Sequence, residues 1–189
     1  ATTTGTGNVS VGQASFVTNT TGDSNIAIGR GSLYGNTTAD NNVAVGLCAL
    51  FTNTTGANNT AVGGEAMLKN TTGTQNTAIG LVALGCNTTG ARNTAVGQQA
   101  LQTNVTGTCN VAIGYKALFT NNRTSGNEGS FNVAIGHEAG CKNTTGHSNV
   151  SLGFESLTAV TTGNQNTGLG NNSGNSLTTG SNNTIIGNG

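Results

Sequence analysis

The chain has 189 residues, with six basic and six acidic side chains and no net charge at pH 7. Charged residues make up 6% of the sequence, against about 25% in ordinary soluble domains. A neutral chain without a basic stripe argues against a nucleic-acid partner. No apolar run approaches the ~20 residues of a membrane-spanning helix, so we expect no membrane insertion.

A five-residue motif, Asn-(Val/Ile/Thr)-small-apolar-Gly, occurs eleven times along the chain. Nine of the ten intervals are 17 residues, and the tenth is 22 because of a five-residue insertion within 121–130. A fixed short period predicts a stacked solenoid, in which each repeat buries its apolar face against its neighbours. We therefore predict one all-β domain over residues 1–189, a parallel β-solenoid (β-roll) of about eleven 17-residue rungs. The motif Asn residues are Asn8, Asn25, Asn42, Asn59, Asn76, Asn93, Asn110, Asn132, Asn149, Asn166 and Asn183.

Each rung is predicted to contain two short strands. In the rung from Thr52 to Leu68, these are 59–62, ended by Gly63, and 65–68, followed by a turn at 70–73. The apolar residue before each motif Gly and the Leu column of the second strand are predicted to form the core. Ile79→Asp is then expected to break the rod, and Gln98→Asp to be nearly silent.

A column of Ala residues lies between the apolar positions of the first strand. Because successive strand residues point to opposite faces, a strand that is apolar on both faces is expected to be covered on both. We predict that the Ala column is buried too, most simply against a partner sheet from a second copy of the chain.

The repeated Asn and Gly residues have a structural interpretation. Asn carries both a donor and an acceptor and can bond along a stack, and Gly adopts φ > 0 without steric cost. We expect φ > 0 at two corners of every rung. The structural ladder is represented by Asn59, Asn76, Asn93, Gly63, Gly80 and Gly97.

The motif, as in Asn-Thr-Ala-Val-Gly at 59–63 and Asn-Val-Ala-Ile-Gly at 110–114, resembles the head repeats of YadA-like trimeric adhesins. It looks closer still to the Asn-Thr-Ala-Ile-Gly-x-x-Ala-Leu-x-x-Asn-Thr-Thr-Gly arrays of bacteriophage tail fibres and environmental surface proteins. This resemblance covers essentially the whole chain and implies a left-handed β-roll, commonly trimeric, in an extracellular adhesive or fibrous protein. The repeat length differs from that of this family, because adhesin heads have a repeat of about 14 residues and this chain repeats every 17.

We find no catalytic or cofactor motif, and we expect no enzyme, cofactor or metal. His137 and His147 stand ten residues apart. Glu65, Glu138 and Glu155 share one rung position; stacked carboxylates could hold a cation, but solvated charges are the preferred interpretation. Cys86 and Cys109 lie near corners of adjacent rungs, where a bridge is conceivable, whereas Cys48 and Cys141 are too far apart to pair.

The Asn-Thr-Thr corner is also an acceptor sequence for N-glycosylation. The alternative is that Asn and Thr are simply good turn residues. The candidate sites are Asn19, Asn36, Asn53, Asn70, Asn87, Asn104, Asn122 and Asn143, with further acceptors at Asn8, Asn58, Asn149, Asn171 and Asn182.

Three functions follow as hypotheses. The first is an extracellular filament built from copies of the chain, located outside the cell or on a virion or cell surface. The second is a tail-fibre shaft or adhesin head that binds a cell surface or glycan through a loop in the insertion, with Asn122, Arg123, Asn127 and Glu128 as its residues. The third is ice binding through the Thr pairs of the corners. It is the weakest, because adjacent side chains of a strand point in different directions and do not form one flat Thr face.

The start of the chain bears on its processing. It begins at Ala1 without a basic and apolar leader, so it is either a mature protein or a segment of a longer one. Loss of a signal peptide is our preferred interpretation.

Overall fold

A computed structural model describes residues 4–121 and 128–189. This part of the chain is an all-β parallel solenoid, with one three-residue strand in each rung. The strands pair in sequence order into a single eleven-stranded sheet. They are β1 Val9–Val11, β2 Ile26–Ile28, β3 Val43–Val45, β4 Thr60–Val62, β5 Thr77–Ile79, β6 Thr94–Val96, β7 Val111–Ile113, β8 Val133–Ile135, β9 Val150–Leu152, β10 Thr167–Leu169 and β11 Thr184–Ile186.

The register places every motif residue directly against its equivalent in the next rung. Ala61 pairs with Ala78, and Ala78 pairs with Ala95. The longer interval does not shift this register, because Ala112 pairs with Ala134 across the insertion. The period predicted from the sequence is therefore the repeat of the structure.

The predicted second strand is wrong. Residues 65–68 form a turn in which the φ angles of Glu65 and Met67 are 56° and 52°. The backbone N–H of Glu65 donates to the preceding rung, at Leu47, and that of Met67 donates to the following rung, at Ala83. Alternating left-handed residues bend the chain sharply, so this corner closes the coil within a few residues.

The prediction for the two faces of the strand was also reversed. The Ala column points into the coil and is fully buried, whereas Ile79, in the column predicted to be core, is 41% exposed. The inward position is small because the Leu column of the opposite corner fills the space. At Gly168, which takes the Ala position in β10, an added Cβ would lie 2.6 Å from Cγ of Leu157.

The core consists of the inward Ala column, a second Ala column and the Leu column. The second Ala column is Ala49, Ala66, Ala83, Ala100, Ala117 and Ala139, and the Leu column includes Leu33, Leu50, Leu84, Leu101, Leu118 and Leu157, with Met67 in the same position. The burial predicted for the Ala column is confirmed, but the coil itself covers it. The burial predicted for the Leu column is confirmed as well.

Two ladders of buried Asn run beside this apolar core. In the first, the Asn76 amide donates to the carbonyl of Gly90 at 2.8 Å, and its Oδ1 accepts the backbone N–H of Asn93 at 2.9 Å. In the second, at the Thr-Thr-Gly corner, Asn70 Nδ2 donates to Oδ1 of Asn53 at 2.8 Å. The stacked amides thus bond from rung to rung, and Asn42 Nδ2 and Asn143 Oδ1 are the buried amide atoms of the described ladders that lack a partner.

Glycine is needed where neighbouring rungs approach most closely. Gly80 has a φ of +132°, and a Cβ on it would lie 2.6 Å from the carbonyl oxygen of Gly97. The corner glycine Gly73 does not have the positive φ expected for it; a Cβ there would lie 2.5 Å from the carbonyl oxygen of Gly90. At this corner, backbone proximity selects glycine.

The reversed faces give a direct test. We expect Ala78→Asp to prevent assembly of the rod, because an unpaired buried charge costs several kcal/mol. Ile79→Asp should cost about 1 kcal/mol or less, since it changes only an outward strand position. Urea denaturation followed by circular dichroism measures both, with Gln98→Asp as an exposed control expected within about 0.5 kcal/mol. Greater damage from Ile79→Asp than from Ala78→Asp would contradict this orientation.

The Asn ladder gives a second test. Asn76→Ala removes the acceptor of the Asn93 N–H inside the coil, whereas the Gly90 carbonyl keeps a second donor, Nδ2 of Asn87 at 3.0 Å. A buried group left without a partner costs about 1–3 kcal/mol, so we expect a loss of that size in urea denaturation. Thr72 is exposed in the same corner region, and Thr72→Ala should change stability by less than about 0.5 kcal/mol. Similar stability of the two variants would show that the ladder contributes little.

Candidate functional site

The outward face of the sheet carries most of the large apolar side chains that are exposed among the described residues. We define it by the first and third residues of β1–β11. The first residues are all Val, Ile or Thr; the third are all Val, Ile or Leu; none is charged. With strands about 4.8 Å apart, eleven strands give a face roughly 50 Å long. Exposed strips rich in apolar side chains are typical of surfaces that contact another molecule.

The column that follows the motif Gly widens this face. Leu47 and Leu81 are 43% and 50% exposed. Further along, the rings of Tyr115, His137 and Phe154 stack on successive rungs, with centroids 5.1 and 5.2 Å apart. Apolar and aromatic side chains thus continue the strip beyond β3, β5, β7 and β9, whereas Arg30 and Gln98 occupy the same column in other rungs.

Lys116 lies at the side of the aromatic stack. Its Nζ is 5.1 Å from the ring centroid of Tyr115 and 5.6 Å from that of Phe119. Hydrogen bonding to Tyr115 raises the pKa of Lys116, and Glu138 is a smaller cause in the same direction.

The two ends of the sheet are a second kind of surface. Among the described residues, β1 and β11 each pair on one side only. The N–H of Thr167 donates to the carbonyl of Asn183 in the next rung at 2.8 Å. Thr184 is the equivalent residue of β11, so its N–H points beyond the last strand.

The candidate glycosylation sites of the corner lie inside the coil. Asn19, Asn36, Asn53, Asn70, Asn87, Asn104 and Asn143 are at most 5% exposed. Their Nδ2 atoms donate within the coil, as in the bond from Asn70 to Gly73 at 3.0 Å. A sugar on Nδ2 would replace such a bond and displace the next rung, so the folded coil does not accommodate the glycosylation predicted at these seven positions. Of the further acceptors, Asn58, Asn171 and Asn182 are exposed.

The candidate binding loop falls largely outside the described residues, which exclude Asn122, Arg123 and Asn127. Glu128 is described and is half-buried. Beside the insertion, the carbonyl of Gly129 accepts the amide of Asn110 at 2.8 Å, so the coil resumes there. The loop's role in adhesion stays a prediction.

The remaining predicted features are separated along the rod. Cys48, Cys86, Cys109 and Cys141 are all free thiols and half-buried, so the conceivable bridge between Cys86 and Cys109 is not formed.

In the corner, Thr71 Oγ1 donates to the carbonyl of Thr88 at 3.1 Å, while Thr72 is exposed. The two Thr of a pair therefore have different surroundings, and ice binding through the pairs stays a prediction.

The sequence interpretation missed the outward face because it placed those residues in the core. The available signal was side-chain size: the inward column is Ala, Ser or Gly in all but one rung, whereas the outward columns hold larger residues, all of them β-branched except Leu152 and Leu169. A narrow coil has room for only the smaller set.

No family model, curated protein or solved structure matches this chain. Residues 4–121 and 128–189 contain no helix of the length and apolarity needed to cross a bilayer. They form no pocket either. The chemistry that the described part offers lies on its outer surfaces.

Proposed function

We propose that this chain is a non-enzymatic structural segment of an extracellular fibre, similar in type to YadA-like heads and tail-fibre shafts. Copies of the chain are its partners, joined along the rod axis through sheet edges and side by side through the outward face. One observation carries the proposal: identical rungs stack in one register through all eleven strands, below a continuous uncharged apolar face.

Axial joining follows from the repeat itself. The upper edge of β11 offers the same groups that β10 offers to β11. A second copy placed there would set its Asn8 above Asn183, as Asn183 lies above Asn166, whose Oδ1 accepts the Asn183 N–H at 3.0 Å. Exposed parallel edges with matching register favour strand addition, so the contact between copies would repeat the contact within one copy.

Side-by-side joining follows from the outward face. The face has no charge to keep a neighbour away, and its β-branched columns are regularly spaced, so two faces could interdigitate as sheets do in a sandwich. This lateral contact also allows the trimer that the resemblance implies. Cell-surface glycans would be an additional partner only if the insertion binds them.

The axial contact can be tested at one N–H. Thr184→Pro removes a donor that points beyond β11, and proline is tolerated at the first residue of an edge strand. We expect fibres of the 189-residue chain, imaged by electron microscopy at high concentration, to become short particles. Thr184→Val keeps the N–H and the branched side chain and should leave fibre length unchanged. Fibres of equal length from the proline variant would refute end-to-end stacking.

The lateral contact can be tested without touching the edges. Replacing Ile79 and Ile113 by Lys places two charges on the outward face, and we expect the mass per unit length of the fibres to fall to that of a single coil. Thr72→Lys adds a charge at an exposed corner away from this face and is the matched control. Scanning transmission electron microscopy measures the quantity. An unchanged mass per length in the double variant would show that the outward face is not the lateral contact.

A further inference from the structure

We propose that His137, Glu138 and Glu155 form a surface site for a divalent metal ion of the Zn²⁺ class. This site goes beyond the fibre proposal and does not depend on it. The three side chains each offer one ligand atom, and these atoms lie within 4.8 Å of one another. An imidazole nitrogen with two carboxylate oxygens is a ligand set that Zn²⁺ accepts, with water completing the coordination.

The coil brings these residues together through its period. His137 and Glu138 follow the motif glycine Gly136, and Glu155 takes the position of Glu138 one rung further on. The backbone fixes the pair, because the Glu155 N–H donates to the carbonyl of His137 at 2.9 Å. Ligand atoms around a four-coordinate ion are roughly 3.5 Å apart when the bonds are about 2.1 Å. Small rotations of these exposed and half-buried side chains would bring the three ligand atoms to this separation.

The histidine ring is held in an orientation that suits coordination. It stacks between Tyr115 and Phe154, with an interplanar angle of 14° to Phe154. Stacking uses the two faces of the imidazole, whereas a metal binds the nitrogen lone pair in the plane of the ring. The aromatic neighbours therefore restrict the ring without covering its ligand atom, and a restricted ligand loses less freedom on binding.

The local charges favour a divalent cation. Glu138 and Glu155 lie on consecutive rungs, where strand spacing sets like charges about 4.8 Å apart. Lys116 is in the same column on the preceding rung, and its positive charge offsets part of this repulsion. One ammonium beside two carboxylates leaves an excess negative charge, and the nitrogen ligand favours Zn²⁺ over Mg²⁺.

Isothermal titration of the 189-residue chain with Zn²⁺ tests the site, with Mg²⁺ as comparison. We expect one Zn²⁺ per chain and much weaker Mg²⁺ binding. Loss of a side chain that only orients a metal ligand weakens binding about 10–100-fold, so removing a ligand by His137→Ala or Glu155→Gln should weaken binding at least about tenfold. Lys116→Gln should strengthen it, because a competing cation is removed. Circular dichroism melts verify that each variant is folded, and Glu138→Gln replaces Glu155→Gln if the latter is not.

The chain supplies matched controls. His147 is the other histidine, Glu65 occupies the same rung position as Glu138 without a second carboxylate beside it, and Cys141 is a thiol, which also binds zinc. His147→Ala, Glu65→Gln and Cys141→Ser should each bind Zn²⁺ as the parent chain does. The proposal is overturned if no saturable binding occurs, if His137→Ala binds as tightly as the parent, or if a control variant abolishes binding.

Discussion

The backbone hydrogen bonds between rungs are the constraint on which the rest of this structure depends. They hold each residue directly above its own equivalent, so every interior side chain must pack against a copy of itself. Alanine and leucine do this by simple contact. Asparagine does it because one amide both donates and accepts, as in the bond between Asn70 and Asn53. A stacked charge would repel its copies, which accounts for a sequence with only 6% charged residues.

The same bonds explain why the chain tolerates backbone conformations that are unfavourable in isolation. Leu84 has a φ of 53°, and a left-handed residue of this kind costs about 1–2 kcal/mol. Its N–H nevertheless donates to the carbonyl of Ala100 at 2.9 Å, and its side chain is fully buried. Burial of a leucine contributes about 1.5–3 kcal/mol, which offsets the strain. Because both gains require the adjacent rungs, a single rung could not keep this corner.

The sequence predicts the repeat, the parallel stacking and the continuity across the insertion, since all three follow from the 17-residue period. It does not predict which side of the strand is inside. Alternation distinguishes two faces, but when both are apolar the choice depends on the width of the coil, which the corner residues set. Ala78 is inward for this reason and Ile79 is outward. The glycosylation acceptor sequences of the corner mislead for a similar reason. An acceptor sequence is defined by three adjacent residues, whereas the burial of Asn70 depends on the neighbouring rungs.

The constraint also separates positions that the fold dictates from positions that it leaves open. The columns of Ala, Leu, Asn and Gly are nearly uniform, whereas the two positions after the motif Gly range from Gly64 and Leu81 to Arg30 and Gln98. Chemical differences between rungs can therefore accumulate there without harm to the coil. The carboxylates of Glu138 and Glu155 lie on consecutive rungs and repel each other. They occupy one of these variable positions, beside the stacked ring of His137. A cation bound by both carboxylates would remove their repulsion, which is the physical reason for proposing a metal ion at this position.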